Sequence, residues 1–254
     1  MGGRRLEAAW HGPSPADAPT LVFLHEGLGC VEMWRDFPAR LADATGCGAL
    51  AYSRLGYGRS DPCPLPRPVR YMHDEALAVL GELLEVAGVR ECVLVGHSDG
   101  GSVALIYAGG TVAAPLRGVI CEAAHVFCED LTLRSIRQAG ELFERGDLRP
   151  KLAKYHGANT DCAFRGWHDA WLDPDFRQWD LREYLPGVRV PLLAIQGADD
   201  PYGTVAQVEA IRKGVPGGAE VLMLPGCRHA PHREQPEATL EAMARFIRKT
   251  LGRP

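Results

Sequence analysis

Apolar residues in this chain follow two alternating rhythms. One consists of short continuous runs: TLVFLH (20–25), GALAYS (48–53), CVLVGH (92–97), LRGVICE (116–122), PLLAIQG (191–197) and AEVLMLPG (219–226). Runs that are apolar throughout, rather than at every second position, predict strands buried on both faces, and therefore a parallel sheet covered by helices. The other rhythm has helical spacing. MHDEALAVLGELLEVAG (72–88) predicts an amphipathic helix that ends at Gly88, and PEATLEAMARFIRKTLG (236–252) another. The second begins with Pro236 near its first turn and gathers Arg245, Arg248 and Lys249 toward its carboxyl end, as helix termini favour. The predicted fold class is α/β: a mostly parallel sheet with helices on both faces.

The alternation breaks once. Positions 125–186 contain no convincing strand, so this stretch is expected to be a helical cap inserted into a core made of residues 1–124 and 187–254. It carries Phe164, Trp167, His168 and Trp171 at helical spacing, followed by Trp179 and Tyr184. Most of such an aromatic stripe joins a cap to its core, and at least one member is expected to face a pocket beneath.

Composition narrows the class without changing it. With 254 residues, 46% hydrophobic and 24% charged, the chain is long enough for one sizeable core. Its formal charge of −4, with no long run of one sign, favours neither nucleic acid nor an anionic membrane. The eight cysteines are scattered singly, with no C-x-x-C pair, and several lie in apolar runs as reduced buried thiols do. The segment MGGRRLEAAW has no apolar signal region and carries Leu6 where myristoylation wants Ser or Thr. No stretch approaches the ~18 apolar residues of a membrane span. The expectation is a cytoplasmic protein that takes a small-molecule substrate and could form a homo-oligomer.

The chemistry is concentrated at GHSDG (96–100), a G-x-S-x-G pattern directly after a predicted strand and before a small-residue helix. A sharp strand-to-helix turn crowds the residues two before and two after its apex, which suits Gly96 and Gly100 because they lack Cβ. The turn would lift Ser98 clear of the sheet and set it at a helix amino terminus, where free amides favour developing negative charge. A serine hydroxyl is a weak nucleophile, so a base and an orienting acid are needed, in the chain order Ser, Asp or Glu, His. ADDPYG after the strand at 191–197 offers Asp199 and Asp200, and LPGCRHAPHREQPE offers His229 and His232.

Together these motifs resemble the α/β-hydrolase superfamily over nearly the whole chain, most loosely in the cap. The resemblance implies Asp200 as the acid, three residues after Gly197, with Asp199 as a turn residue. It implies His229 as the base through G-x-x-H-x-x-x-x-E-x-P, matched by Gly226, His229, Glu234 and Pro236, leaving His232 at a helix start or pocket rim. The oxyanion hole is expected from the amide of Asp99 and that of Gly27, with Leu28 as fallback, in FLHEGLGC (23–30). That loop departs from the family's H-G-x-x-G segment at Glu26, whose side chain either points away, the preferred expectation, or binds a polar part of the substrate. His25 reads as structural, satisfied by nearby backbone.

Two further departures lie in SRLGYGRSD (53–61), where Ser53 replaces the usual Asp in a structural role, and at Arg228, which replaces the glycine before His229 and could reach an acidic substrate group. Candidate substrate contacts are Glu26, Leu28, His125, Trp167, Trp171 and Arg228, while Arg134, Arg137, Arg149, Lys151 and Lys154 read as a solvated helix face. No cofactor or metal is implied: there is no H-E-x-x-H and no G-x-G-x-x-G. The leading expectation is a serine hydrolase acting on a carboxylic ester, thioester or lactone of a small apolar or aromatic substrate. Alternatives on the same fold are a carbon–carbon bond hydrolase or lyase and a non-catalytic ligand receptor.

Overall fold

The computed structural model describes residues 3–111 and 115–253; the first two residues of the amino-terminal segment lie outside it. The strands are β1 (Ala8–His11), β2 (Thr20–Leu24), β3 (Gly48–Tyr52), β4 (Cys92–His97), β5 (Leu116–Glu122), β6 (Leu192–Gly197) and β7 (Glu220–Leu224). They form one sheet in the order β1-β3-β2-β4-β5-β6-β7, parallel throughout except for β1 against β3. All six apolar runs are strands. Only β1 escaped the pattern: AAWH is short, half-buried and paired on one side, so burial did not select a β-branched run there.

The pleat explains why the central strands are apolar on both sides. In β2, Val22 and Leu24 face one core cluster while Leu21 and Phe23 face the other; in β4, Leu94 faces the first and Val93 and Val95 the second. The helices are α1 (Phe37–Thr45), α2 (Tyr71–Asp74), α3 (Leu80–Val86), α4 (Asp99–Gly110), α5 (Asp130–Arg145), α6 (Leu148–His156), α7 (Thr160–Leu172), α8 (Val205–Gly214), α9 (Pro231–Glu234) and α10 (Pro236–Thr250). Phe37 and Leu41 of α1 and Met243, Phe246 and Ile247 of α10 cover the second cluster; α2, α3, α4 and α8 cover the first. Helix α4 is buried from Asp99 through Ala108.

The helix expected over 72–88 is present with one modification. A π-helical turn, Glu75–Val79, separates α2 from α3, and the segment closes at Gly88 with φ of +68°. The wider turn lies where Glu75 turns inward to accept a hydrogen bond from Tyr52 Oη at 2.7 Å, a partner invisible to helical periodicity.

Between β5 and β6 the chain runs through α5, α6, α7 and short 3₁₀ turns, its sole strand-like pairing among the described residues being a bridge between Phe127 and Asp180. Among the described residues, no helix is long and apolar enough to cross a membrane.

The order of the strands locates the site. From β2 the chain goes to β3 on one side and then returns to β4 on the other, so the loops after β2 and β4 leave neighbouring strands in opposite directions. A crevice opens at such a switch point, at the carboxyl ends of the strands.

Candidate active site

Ser98 occupies the apex between β4 and α4 with φ of 53° and ψ of −117°, a left-handed conformation that a non-glycine residue holds only under local constraint. The constraint is the crowding expected from the sequence. A Cβ on Gly96 would lie 2.2 Å from Gly100 O, and one on Gly100 would lie 1.9 Å from Leu24 O. Hydrogen bonds from Ser98 N to Glu122 O (2.8 Å) and from Ser102 N to Ser98 O (3.0 Å) hold the apex.

Ser98, His229 and Asp200 form one hydrogen-bonded line. His229 Nε2 lies 3.0 Å from Ser98 Oγ, and His229 Nδ1 lies 2.9 and 2.8 Å from the two Asp200 oxygens. With Nδ1–H donating to the carboxylate, Nε2 is left as the acceptor for the serine proton. Asp200 is fixed in turn by Gln196 Nε2 (2.6 Å) and the Tyr202 amide (2.8 Å), neither of which was anticipated from sequence. Burial alone would raise the Asp200 carboxyl. The hydrogen bond and charge of His229, together with the Tyr202 amide, instead hold it below the usual carboxylate range. Asp199 is exposed in the same turn, its amide bonded to Cys227 O at 2.9 Å.

The two expected oxyanion amides sit where the switch point brings the loops together. Asp99 is the first residue of α4, where an amide has no acceptor within the helix. Gly27 follows β2, and its Cα is roofed by Trp167: a Cβ there would lie 2.2 Å from Trp167 Cδ1. The loop is held from below by Arg54, whose Nη1 and Nη2 donate to the carbonyls of His25 (2.7 Å) and Glu26 (3.0 Å). His25 is structural, as expected: Nδ1 donates to Glu26 O at 2.7 Å and Nε2 accepts from the Arg54 amide at 3.1 Å. Ser53 is structural as well, accepting from Val31 N and donating to Glu7 Oε2.

These groups open into a cavity of about 260 Å³, lined by Glu26, Gly27, Leu28, His125, Trp167 and Trp171 beside Ser98, Asp99 and His229. Met33, Ile136, Leu148, Leu152 and Tyr202 complete most of the apolar wall. Helices α5, α6 and α7 thus supply one side of the cavity and the loops at the strand ends the other. Glu26 lines the cavity while its carboxylate folds back over Gly29, where a Cβ would meet Oε2 at 1.8 Å. Burial raises that carboxyl above its ordinary value.

Arg228 is a correction. It does not line the cavity, because its amide is drawn to Glu234 Oε2 (2.8 Å) and its side chain is left exposed; Arg233, on α9, is the cation at the rim. Arg134, Arg137, Arg149, Lys151 and Lys154 are all exposed, as a solvated face requires. His232 is at a helix start as expected, but away from the cavity rim. Its Nδ1 lies 3.1 Å from Glu122 Oε2 in a fully buried pair against Trp34.

Beyond the amide that the motif points to, the side chain of Asp99 is also engaged. Trp171 Nε1 donates to Tyr71 Oη (3.0 Å), and Tyr71 Oη donates in turn to the Asp99 carboxylate. Burial raises the Asp99 carboxyl. Among the described residues, no group of three or more His, Cys, Asp or Glu side chains is gathered as a metal ion would need.

The sheet order, the strained serine and the position of the cavity define an α/β hydrolase, and the chain belongs to the alpha/beta hydrolase family, whose model matches residues 21–242. It is similar to the putative hydrolase LipZ of Mycobacterium tuberculosis, 27% identical over 264 residues that span 90% of this chain and 88% of the relative. It is also 26% identical, over 258 residues and 91% and 94% of the two chains, to 2-succinyl-6-hydroxy-2,4-cyclohexadiene-1-carboxylate synthase of Serratia proteamaculans. In three dimensions it resembles VinJ, with a TM-score of 0.78, 23% identity and coverage of 98% and 97% of the two chains.

Proposed function

We propose that the protein is a serine hydrolase that cleaves a carboxylic ester, thioester or lactone of a small apolar or aromatic substrate through an acyl-enzyme. The observation that carries this reading is the unbroken line Asp200–His229–Ser98 ending in a tryptophan-walled cavity. The cavity volume, about 260 Å³, suits a compact acyl group.

In the proposed reaction His229 Nε2 takes the Ser98 proton as Oγ attacks the substrate carbonyl carbon. The carbonyl oxygen becomes an oxyanion held by the amides of Gly27 and Asp99. The tetrahedral species collapses, the bond to the leaving group breaks, and His229 returns the proton to that group. Water, deprotonated by the same nitrogen, then releases the acid and restores Ser98. Asp200 keeps Nδ1 protonated and stabilises the imidazolium. The helices of the 125–186 insertion act as a cap that screens the carbonyl from bulk water.

Rapid-mixing kinetics with p-nitrophenyl acetate, butyrate and benzoate test this directly. A burst of one nitrophenol per chain, absent in Ser98→Ala and His229→Ala, is the expected result, and the chain-length preference measures the cavity. The synthase among the relatives motivates a second reading, in which Ser98 and His229 only move a proton. That reading, or a ligand receptor, replaces the first if no burst and no mutant-sensitive turnover occur.

A further inference from the structure

Outside the cavity the fold brings together two thiols that the proposed hydrolysis does not use. Cys63 belongs to the proline-rich connection after β3, and Cys162 to the first turn of α7. They are 99 positions apart in sequence, yet their sulfurs lie 3.0 Å apart. The surroundings leave room for this contact and little else. Gly56, at φ of +81°, lies beneath both sulfurs, and a Cβ there would come within 2.6 Å of Cys63 Sγ and 2.7 Å of Cys162 Sγ.

A cation is fixed beside the pair. Arg67 Nε donates to Cys63 Sγ at 3.2 Å, while its Nη2 and Nη1 are anchored on Leu55 O (2.6 Å) and Tyr57 Oη (3.2 Å). Both sulfurs belong to half-buried residues, as does that of Cys128, whereas Cys30, Cys47, Cys92, Cys121 and Cys227 are buried. The thiolate is the reactive form of cysteine. Hydrogen bonding with Cys63, its thiol first and then its backbone, together with the charge of Arg67, pulls Cys162 down against the effect of burial. Cys63, bonded to that sulfur and half-buried, moves up.

We infer that Cys63 and Cys162 form a reversible disulfide that clamps the inserted helix α7 to the core, with hydrogen peroxide as the two-electron oxidant. The Cys162 thiolate attacks one peroxide oxygen; the O–O bond breaks, hydroxide leaves and is protonated to water, and the sulfur becomes a sulfenic acid. Cys63 then attacks that sulfur and gives up its proton; the S–S bond forms, the S–O bond breaks, and a second water leaves. Two thiols and one peroxide thus become one disulfide and two waters, the electrons lost by sulfur reducing the peroxide. A dithiol reductant reverses the step.

The clamp would act on the cavity through α7 itself. Trp167 and Trp171 on this helix form part of the cavity wall, and Trp167 rests on Gly27. Tying the first turn of α7 to the core restrains the opening of that wall and leaves Ser98, His229 and Asp200 untouched.

The test uses the full reduced chain, treated with hydrogen peroxide and digested without reductant. The expected product has lost the mass of two hydrogens and two of its eight thiols, yields a Cys63–Cys162 linked peptide, and reverts with dithiothreitol. Cys63→Ser should stop at a dimedone-trappable sulfenic acid on Cys162, and Cys162→Ser should form no link. Amide exchange in α7 should slow roughly tenfold in the oxidised native chain and not in either serine variant. An unchanged thiol count, a link through another cysteine, or unaltered exchange in α7 after linkage would each overturn the inference.

Discussion

Trp167 lies against the Cα of Gly27 so closely that a methyl group on Gly27 would stand 2.2 Å from indole Cδ1 and 2.3 Å from Nε1. A side chain of α7 therefore roofs the loop proposed to hold the oxyanion. The glycine has φ in an ordinary region, so the close approach of the indole, and not backbone freedom, is what requires it.

Gly27→Ala is accordingly expected to displace either the loop or the indole. Loss of one oxyanion donor lowers kcat by about 10²–10³-fold. Trp167→Ala in the same chain should recover part of that loss, because it removes the atoms that the new methyl group meets. Steady-state kinetics on the two single variants and the double variant check the coupling.

Asp200 and Asp199 are adjacent, but the first alone contacts His229. Asp200→Asn should lower kcat by about 10⁴-fold, since the amide no longer selects the tautomer with a free Nε2. Asp199→Asn should leave kcat within about twofold, because its side chain is exposed and makes no hydrogen bond to His229. Equal losses in the two variants would remove Asp200 from its proposed role.

Arg54 is buried and spends two donors on the carbonyls of His25 and Glu26. Arg54→Met leaves both carbonyls without those donors, at a cost of about 3 kcal/mol, and should lower Tm by roughly 6–12 °C. A loop misplaced by a fraction of an ångström should also cut kcat by about 10–100-fold while the burst amplitude stays at one per chain. Arg54→Lys should restore little of the activity, because an ammonium cannot bridge the two carbonyls as a guanidinium fork does.

His125 is buried beside Trp171, and burial, followed by the charge of His229, lowers it from the usual 6.5 to about 4. The folded chain therefore binds fewer protons at this site than the unfolded chain between those two values. Stability from this group is full above pH 6.5 and is lost as pH falls toward 4, by about 3 kcal/mol in total at 1.36 kcal/mol per unit. His25 and His97 are lowered by burial too and act in the same sense. His125→Gln should flatten, without abolishing, the rise of Tm between pH 4 and 6.5. An unchanged slope would show that His125 does not titrate across this window.

Much of the fold was legible because the demands on it are local. A strand covered on both faces must be apolar nearly throughout, so β2 through β6 declared themselves, and the edge strand β7, though largely exposed, keeps a readable apolar run. A turn as tight as that at Ser98 must have glycines at positions 96 and 100, because a Cβ at either one collides with backbone. The motif around Ser98, and the order of acid and base after it, pointed to residues that the fold does bring within hydrogen-bonding distance.

Tertiary structure decided what depends on segments far apart in the chain. The π-helical turn answers Tyr52, 23 positions from Glu75. Arg54 reaches the loop 28 to 29 positions before it, and Glu122 meets His232 across 110 positions. Arg233 lines the cavity where Arg228 was expected to reach the substrate, while the Arg228 amide is held by Glu234 of α9. Cys63 and Cys162 carry no spacing signal, because their meeting depends on where α7 settles above the core. Periodicity and steric limits act along the backbone and can be read there; pairings across the fold arise only when packing brings the backbone's distant turns together.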